Sequence, residues 1–144
     1  MMKKMLTQIF GLFRYALVVL LLATVTVHAE TVVKWPSLKK LDDLAEKCEA
    51  LAEQKDVVGL RKIAASVKLA AKTVQTEAIP TGAKEPERVK VLQGDLKSLT
   101  ESIGDPDKQD GGELTAVLAA VHPIVEQLMQ ASGMPHVHDE EKAK

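Results

Sequence analysis

Apolar residues recur every three or four positions in four segments of the chain, and this spacing predicts four amphipathic helices. The predicted helices run from about Ser37 to Gln54, Asp56 to Glu77, Pro86 to Ile103, and from a cap at Asp110 to about Gly133. Ser37, Asp56 and Asp110 are predicted N-caps, because their side chains can accept hydrogen bonds from free backbone N–H groups. No segment alternates apolar and polar residues for long enough to predict a strand.

Each predicted helix carries one apolar stripe, and four such stripes are best buried against one another. The stripe of the first helix consists of Leu38, Leu41, Leu44, Cys48 and Leu51. A short break around Lys55 predicts an antiparallel hairpin of the first two helices, with one long helix as the alternative. Gly94, in the third helix, suggests a place where helices approach closely. We therefore predict an all-α fold, an up-down-up-down four-helix bundle.

The N-terminal residues have the three parts of a secretory signal. Lys3, Lys4 and Arg14 supply positive charge, an apolar stretch runs from Ala16 to Val27, and Val27-His28-Ala29 resembles a cleavage site. The alternative is an uncleaved anchor, but a spanning helix needs about 20 apolar residues. We predict a signal peptide at 1–29, a bundle domain at 30–133 and a polar, histidine-containing tail at 134–144. The expected location is periplasmic or secreted, without a membrane span after cleavage.

Charge and composition argue against several functions of the mature chain. Removal of 1–29 leaves 16 cationic against 20 anionic side chains, a balance that gives no reason to bind nucleic acid. Trp35 is then the one aromatic side chain left, which disfavours stacking on bases or sugars. Cys48 lies on an apolar stripe, where cysteine usually acts as a small hydrophobe. No G-x-S-x-G, phosphate loop or H-E-x-x-H motif is present, so we predict a protein that is not an enzyme.

The acidic loop before the fourth helix resembles a calcium loop only superficially. An EF-hand that began at Asp105 would need glycine at its sixth position and glutamate at its twelfth. The chain has Asp110 and Ala116 there. We interpret the loop as a turn followed by a helix cap.

Histidine and methionine cluster near the C-terminus and predict a metal site. The predicted ligands are His122, Glu126, Met134, His136 and His138. Met134, His136 and His138 would share one face of an extended tail. Imidazole and thioether together favour copper, whereas imidazole with carboxylate also suits zinc.

The site requires the tail to fold back over the last helix. Pro123 predicts a kink at His122, because proline crowds the carbonyl of Ala119 four residues earlier. A turn at Gly133 and Pro135 would then bring a tail imidazole to His122.

The predicted function is a small exported protein that buffers or delivers copper or zinc. One alternative is a noncatalytic module that binds another envelope protein through exposed apolar residues such as Leu69 and Val91. A second alternative is a b-type haem bundle, in which His122 would be an axial ligand. The first mature helix has no methionine to be its partner, and likeness of fold alone is weak evidence of function.

Overall fold

Every regular element in the part of the chain that the structure describes is a helix, so the predicted all-α class is confirmed. The structure is a computed structural model and describes residues 32–135. The predicted signal peptide, 1–29, lies outside the described residues, as do His136 and His138. The helices are α1 Pro36–Glu53, α2 Val57–Thr76, α3 Pro86–Glu101, α4 Gly111–Ala119 and α5 Val121–Ser132.

Two of the three predicted N-caps are confirmed. Asp56 accepts a hydrogen bond from the backbone N–H of Gly59 at 2.8 Å. Asp110 accepts from the N–H groups of Gly112 and Glu113. The carboxylates satisfy donors that the first helical turn leaves without partners.

The prediction that Ser37 caps α1 is wrong. The helix begins one residue earlier, with Pro36 at its first position, because proline has the right φ there and lacks an N–H that would need a partner. The Ser37 hydroxyl instead donates to the carboxylate of Glu77. The same carboxylate accepts from Trp35 Nε1 at 2.6 Å and so joins the start of α1 to the end of α2.

The alternative of one long helix through Lys55 is wrong, because the chain turns there. Lys55 has a left-handed backbone with φ +56°, and the N–H of Asp56 bonds to the carbonyl of Leu51. With the bond from the Lys55 N–H to the Ala52 carbonyl, this is a Schellman ending. Gly133, at φ +82°, ends α5 in the same way, as its position predicted.

The fourth predicted helix is interrupted at Ala120, two residues before the predicted kink at His122. Pro123 therefore lies in the first turn of α5, where its missing N–H costs no helical hydrogen bond. The break precedes the proline because the crowding acts on the preceding turn. The prediction of a distortion near Pro123 is confirmed, and its predicted position is wrong.

The core is built from the apolar stripes of the five helices that lie within residues 32–135. α1 packs against α2, α4 and α5, while α3 packs against α2 and α5. Leucine, valine and alanine dominate the buried cluster, and Cys48 lies within it. On α1 the small Ala45 is buried and Leu44 is only half-buried, so the buried face is rotated from the predicted stripe. This rotation turns Asp42 inward.

Gly94 does not mark a close approach of helices, contrary to the sequence-based expectation. It is exposed, and a Cβ at this position would meet nothing within 4 Å. Its effect is therefore limited to the conformational freedom that glycine gives to an exposed helix.

Within the described residues, one helical stretch is long and apolar enough to cross a membrane by length and composition. It is Gly111–Ser132, which contains α4, the break at Ala120 and α5. Its most apolar residues face the core, among them Leu114, Leu118 and Val125. Of its most apolar 18-residue window, 44 % is buried in the fold.

Candidate metal site

His122 is the centre of the candidate metal site. It lies at the start of α5, which packs against α1. Its side chain is almost fully buried, and Nδ1 lies 2.7 Å from Oε2 of Glu49. Its other nitrogen, Nε2, lies 3.8 Å from Oε1 of Glu126, one helical turn further along α5. A carboxylate only accepts hydrogen bonds, so Nδ1 carries the hydrogen in the contact with Glu49.

Three carboxylates of α1 face this imidazole. Asp42, Glu46 and Glu49 follow one another at spacings of four and three, which places them on one face of the helix. Asp42 is 2 % exposed, and Glu46 is open to solvent. One ligand atom each from Asp42, Glu46 and His122 lie within 4.8 Å of one another. The site therefore joins two helices that are distant in sequence.

A lysine ammonium group accompanies the carboxylates. Lys39 Nζ lies 3.0 Å from Oδ2 of Asp42 and 3.1 Å from Oδ1 of Asp43. The hydrogen bonds to Asp42 and then to Asp43 raise the pKa of Lys39 above its ordinary value. Asp42, Glu46, Glu49 and Glu126 outnumber this one ammonium, so the neighbourhood of His122 is rich in negative charge.

The donor set suits a divalent ion that accepts nitrogen and oxygen ligands. Zinc binds imidazole nitrogen and carboxylate oxygen at about 2.0–2.2 Å, so ligand atoms that lie up to 4.8 Å apart would have to draw slightly closer together around an ion. Because Nδ1 contacts Glu49, Nε2 is the nitrogen that could ligate an ion. A carboxylate behind a histidine ligand fixes the orientation of the ring and increases its basicity.

Of the five ligands predicted from the sequence, the structure brings His122 and Glu126 together. Met134 lies beyond the opposite end of α5, which from His122 to Ser132 extends about 15 Å at 1.5 Å per residue. Its N–H bonds to the carbonyl of Met129, and its side chain packs against the core. His136 and His138 lie outside the described residues.

Asp42, Glu46 and Glu49 were not predicted from the sequence as site residues. Their helical spacing is visible in the sequence, but acidic residues beside an apolar stripe are common on solvated faces. What distinguishes Asp42 from an ordinary surface carboxylate is its burial, which follows from the packing of α1 around Ala45. A pattern within one segment does not contain that information.

Cys48 is not part of the site. It is buried in the core, as predicted, and burial raises the pKa of its thiol to about 11. The neutral thiol is therefore the form present at physiological pH, and it is a poor metal ligand.

The acidic loop is organised by the protein's own donors, as predicted. Asp105 accepts from the N–H of Asp107, and Asp110 caps α4. Arg61 donates to the carbonyls of Pro106 and Gln109. These hydrogen bonds form the turn of the loop and the N-terminal cap of α4.

Comparison of the chain with protein-family models, with curated proteins and with solved structures found no match.

Proposed function

We propose that the protein is an exported, noncatalytic helical bundle that binds one divalent transition-metal ion, zinc in preference to copper(I). The observation that carries the proposal is the convergence of Asp42, Glu46 and His122 within 4.8 Å. Two of these side chains are buried, and Glu46 is open to solvent, which gives an ion a way in and out. A protein that buffers or delivers an ion needs such access.

The choice of zinc follows from the ligand atoms. Copper(I) favours thiolate and thioether ligands. Cys48 holds a neutral, buried thiol, and Met134 lies beyond the far end of α5. Imidazole and carboxylate remain, and these suit zinc. Carboxylates around His122 also make this position a poor one for haem, whose iron needs an axial ligand within an apolar pocket.

Glu49 and Glu126 have supporting roles in this proposal. Glu49 orients the ring of His122 through Nδ1. Glu126, on the Nε2 side at 3.8 Å, supplies a fourth ligand if its side chain moves toward the ion. Four ligands from two helices complete the tetrahedral coordination that zinc prefers.

We also propose the up-down-up-down topology and export. A turn at 54–56 joins α1 to α2, and short connections favour antiparallel neighbours. The contacts of α1 with α2, α2 with α3, α3 with α5, and α5 with α1 are those of a four-membered ring of helices. Export rests on the composition of 1–29. Mass spectrometry of the protein from the exported fraction tests it, with a mature chain that begins at Glu30 expected.

Isothermal titration calorimetry with Zn²⁺ tests the metal site. We expect one Zn²⁺ per chain, and a loss of affinity of at least about 100-fold in His122→Ala and Glu46→Gln, since each removes a ligand. Glu101→Gln is the control, because it makes the same chemical change on α3, beside Lys97. Wild-type affinity in both site variants would overturn the assignment.

The predicted tail site is tested in parallel with a His136→Ala/His138→Ala variant. Unchanged affinity in this variant supports ligation by α1 and α5 alone. Loss of affinity here, together with wild-type binding by Glu46→Gln, would assign the ion to the tail instead. A comparison of Zn²⁺ with Cu⁺, the latter under reducing conditions, in the same titrations tests the choice of ion.

Binding to another envelope protein is the second candidate function. Leu69 and Val91 are 68 % and 63 % exposed, as predicted from the sequence, and both lie on helices. Large apolar side chains at such exposure favour a partner surface when they form a patch. Light scattering and affinity capture with Leu69→Glu and Val91→Glu variants test this alternative, which predicts a partner that the variants fail to retain.

A further inference from the structure

Lys39 contacts a carboxylate that a metal ion at the candidate site would also bind. Its Nζ lies 3.0 Å from Asp42 Oδ2, and Asp42 is one of the three converging ligands. An ammonium group at this distance neutralises the carboxylate and repels an incoming cation. Because Asp42 is 2 % exposed, water screens this interaction less than it screens a surface pair.

The ammonium also has a second partner outside the buried site. Lys39 Nζ lies 3.1 Å from Asp43 Oδ1, and the Asp43 side chain is 55 % exposed. Lys39 itself is 52 % exposed, so its Nζ can leave Asp42 and keep its contact with Asp43 without disturbing the core. The lysine is thus placed between a buried carboxylate and an exposed one.

We propose that Lys39 is an internal counter-ion that holds Asp42 in the metal-free protein, passes to Asp43 when the ion binds, and thereby lowers the affinity of the site. The inference rests on the proposed function, since it concerns the same site. A divalent ion competes successfully because its charge is twice that of the ammonium group. The exchange keeps Asp42 neutralised in both states, which suits reversible loading and release of the ion.

Titration of the purified exported protein with Zn²⁺ alone tests the proposal. We expect Lys39→Gln to bind Zn²⁺ about tenfold more tightly, because the competing charge is gone. Lys39→Arg, which keeps the charge, should bind within about threefold of wild type. Lys40→Gln is the matched control: it removes the same charge from the next residue, which lines a groove with Leu44 and Leu69 on another face of α1. It should leave the affinity nearly unchanged.

A double-mutant cycle with Asp43 tests the transfer. Asp43→Asn should weaken Zn²⁺ binding by about threefold in wild type, because the ammonium then has Asp42 alone. In the Lys39→Gln background the same change should have no effect. Thermal melting with and without Zn²⁺ gives a second readout, in which Lys39→Gln gains the larger shift in Tm.

The outcomes separate the two proposals. Equal affinities of wild type, Lys39→Gln and Lys40→Gln would leave the metal site standing and overturn the role of Lys39. Equal tightening in the two lysine variants would also overturn it, since net charge alone would then explain the change. Binding by Lys39→Gln without measurable binding by wild type would support the counter-ion and refute the proposed function. Absence of binding in every form would refute both.

Discussion

Glu49 and His122 meet across the interface of α1 and α5, with 2.7 Å between Oε2 and Nδ1. The two residues are far apart in the sequence, and the contact joins a solvent-exposed carboxylate to a buried imidazole. It fixes which ring nitrogen faces the other carboxylates. The orientation of His122 is therefore built into the fold.

The first prediction concerns this contact. Glu49→Ala should weaken Zn²⁺ binding by about 10- to 100-fold, the usual effect of removing the carboxylate behind a histidine ligand. Glu49→Gln should have a smaller effect, since its amide oxygen still accepts from Nδ1. Calorimetric titration measures both, and circular dichroism confirms the fold. If Glu49→Ala binds zinc as wild type does, Glu49 has no part in positioning His122.

The second prediction concerns two glycines with opposite roles. Gly94→Ala should raise the free energy of unfolding by about 0.5–1 kcal/mol, because a Cβ meets nothing and alanine favours the helix. Gly133→Ala should lower it by about 1–2 kcal/mol, since φ is +82° there and the Cβ would lie 3.0 Å from the Lys84 side chain. Urea denaturation followed by circular dichroism measures both. Destabilisation by Gly94→Ala would contradict the exposed position of that residue.

The third prediction concerns Lys55, a non-glycine residue at φ +56°. Lys55→Gly should stabilise the protein by about 0.5–1 kcal/mol, because glycine adopts this left-handed backbone without steric cost. Gln54→Gly is the control: Gln54 has ordinary helical φ, so the same change there should destabilise. Thermal melting of the two variants decides, and stabilisation by both or by neither contradicts the prediction.

These backbone features also show how far the sequence predicts the fold. Asp56, Asp110 and Gly133 act locally, so their roles as caps and terminator follow from a few neighbouring residues. The site required a different kind of information. His122 and Glu126 lie one turn apart and were recognised, but Asp42 and Glu46 join them only because α1 rotates about Ala45. Relative helix rotation depends on the packing of the whole core.

The break at Ala120 lies between these extremes. Pro123 predicts a distortion of the helix, because its ring crowds the backbone of the preceding turn. Whether the chain kinks through the proline or begins a new helix ahead of it depends on what the two halves pack against. Here both α4 and α5 pack against α1, and the new helix begins at Val121.

The fourth prediction is a pH dependence of stability that arises from Cys48. Burial raises the pKa of its thiol from an ordinary value near 9 to about 11 in the folded protein. Between pH 9 and 11 the unfolded chain therefore loses this proton while the folded chain keeps it, so stability falls as pH rises. The slope due to this group is at most about 1.4 kcal/mol per pH unit.

Cys48→Ala tests this dependence. The variant should lose the alkaline slope due to the thiol, although it is less stable than wild type at neutral pH because a buried sulfur is removed. Urea denaturation at pH 8, 9, 10 and 11 gives the two curves. Parallel curves for wild type and Cys48→Ala would show that the thiol ionises equally in both states.

The hydrogen bond from Trp35 to Glu77 gives the protein an intrinsic fluorescent probe. The chain has a single tryptophan, its indole is 4 % exposed, and its Nε1 donates to a carboxylate at the end of α2. Emission from this one fluorophore therefore reports the docking of residues 32–35 against the helices, with no added label. Loss of the hydrogen bond between Trp35 and Glu77 will be seen as a red shift of the tryptophan emission. Detachment of residues 32–35 can therefore be timed separately from changes at His122.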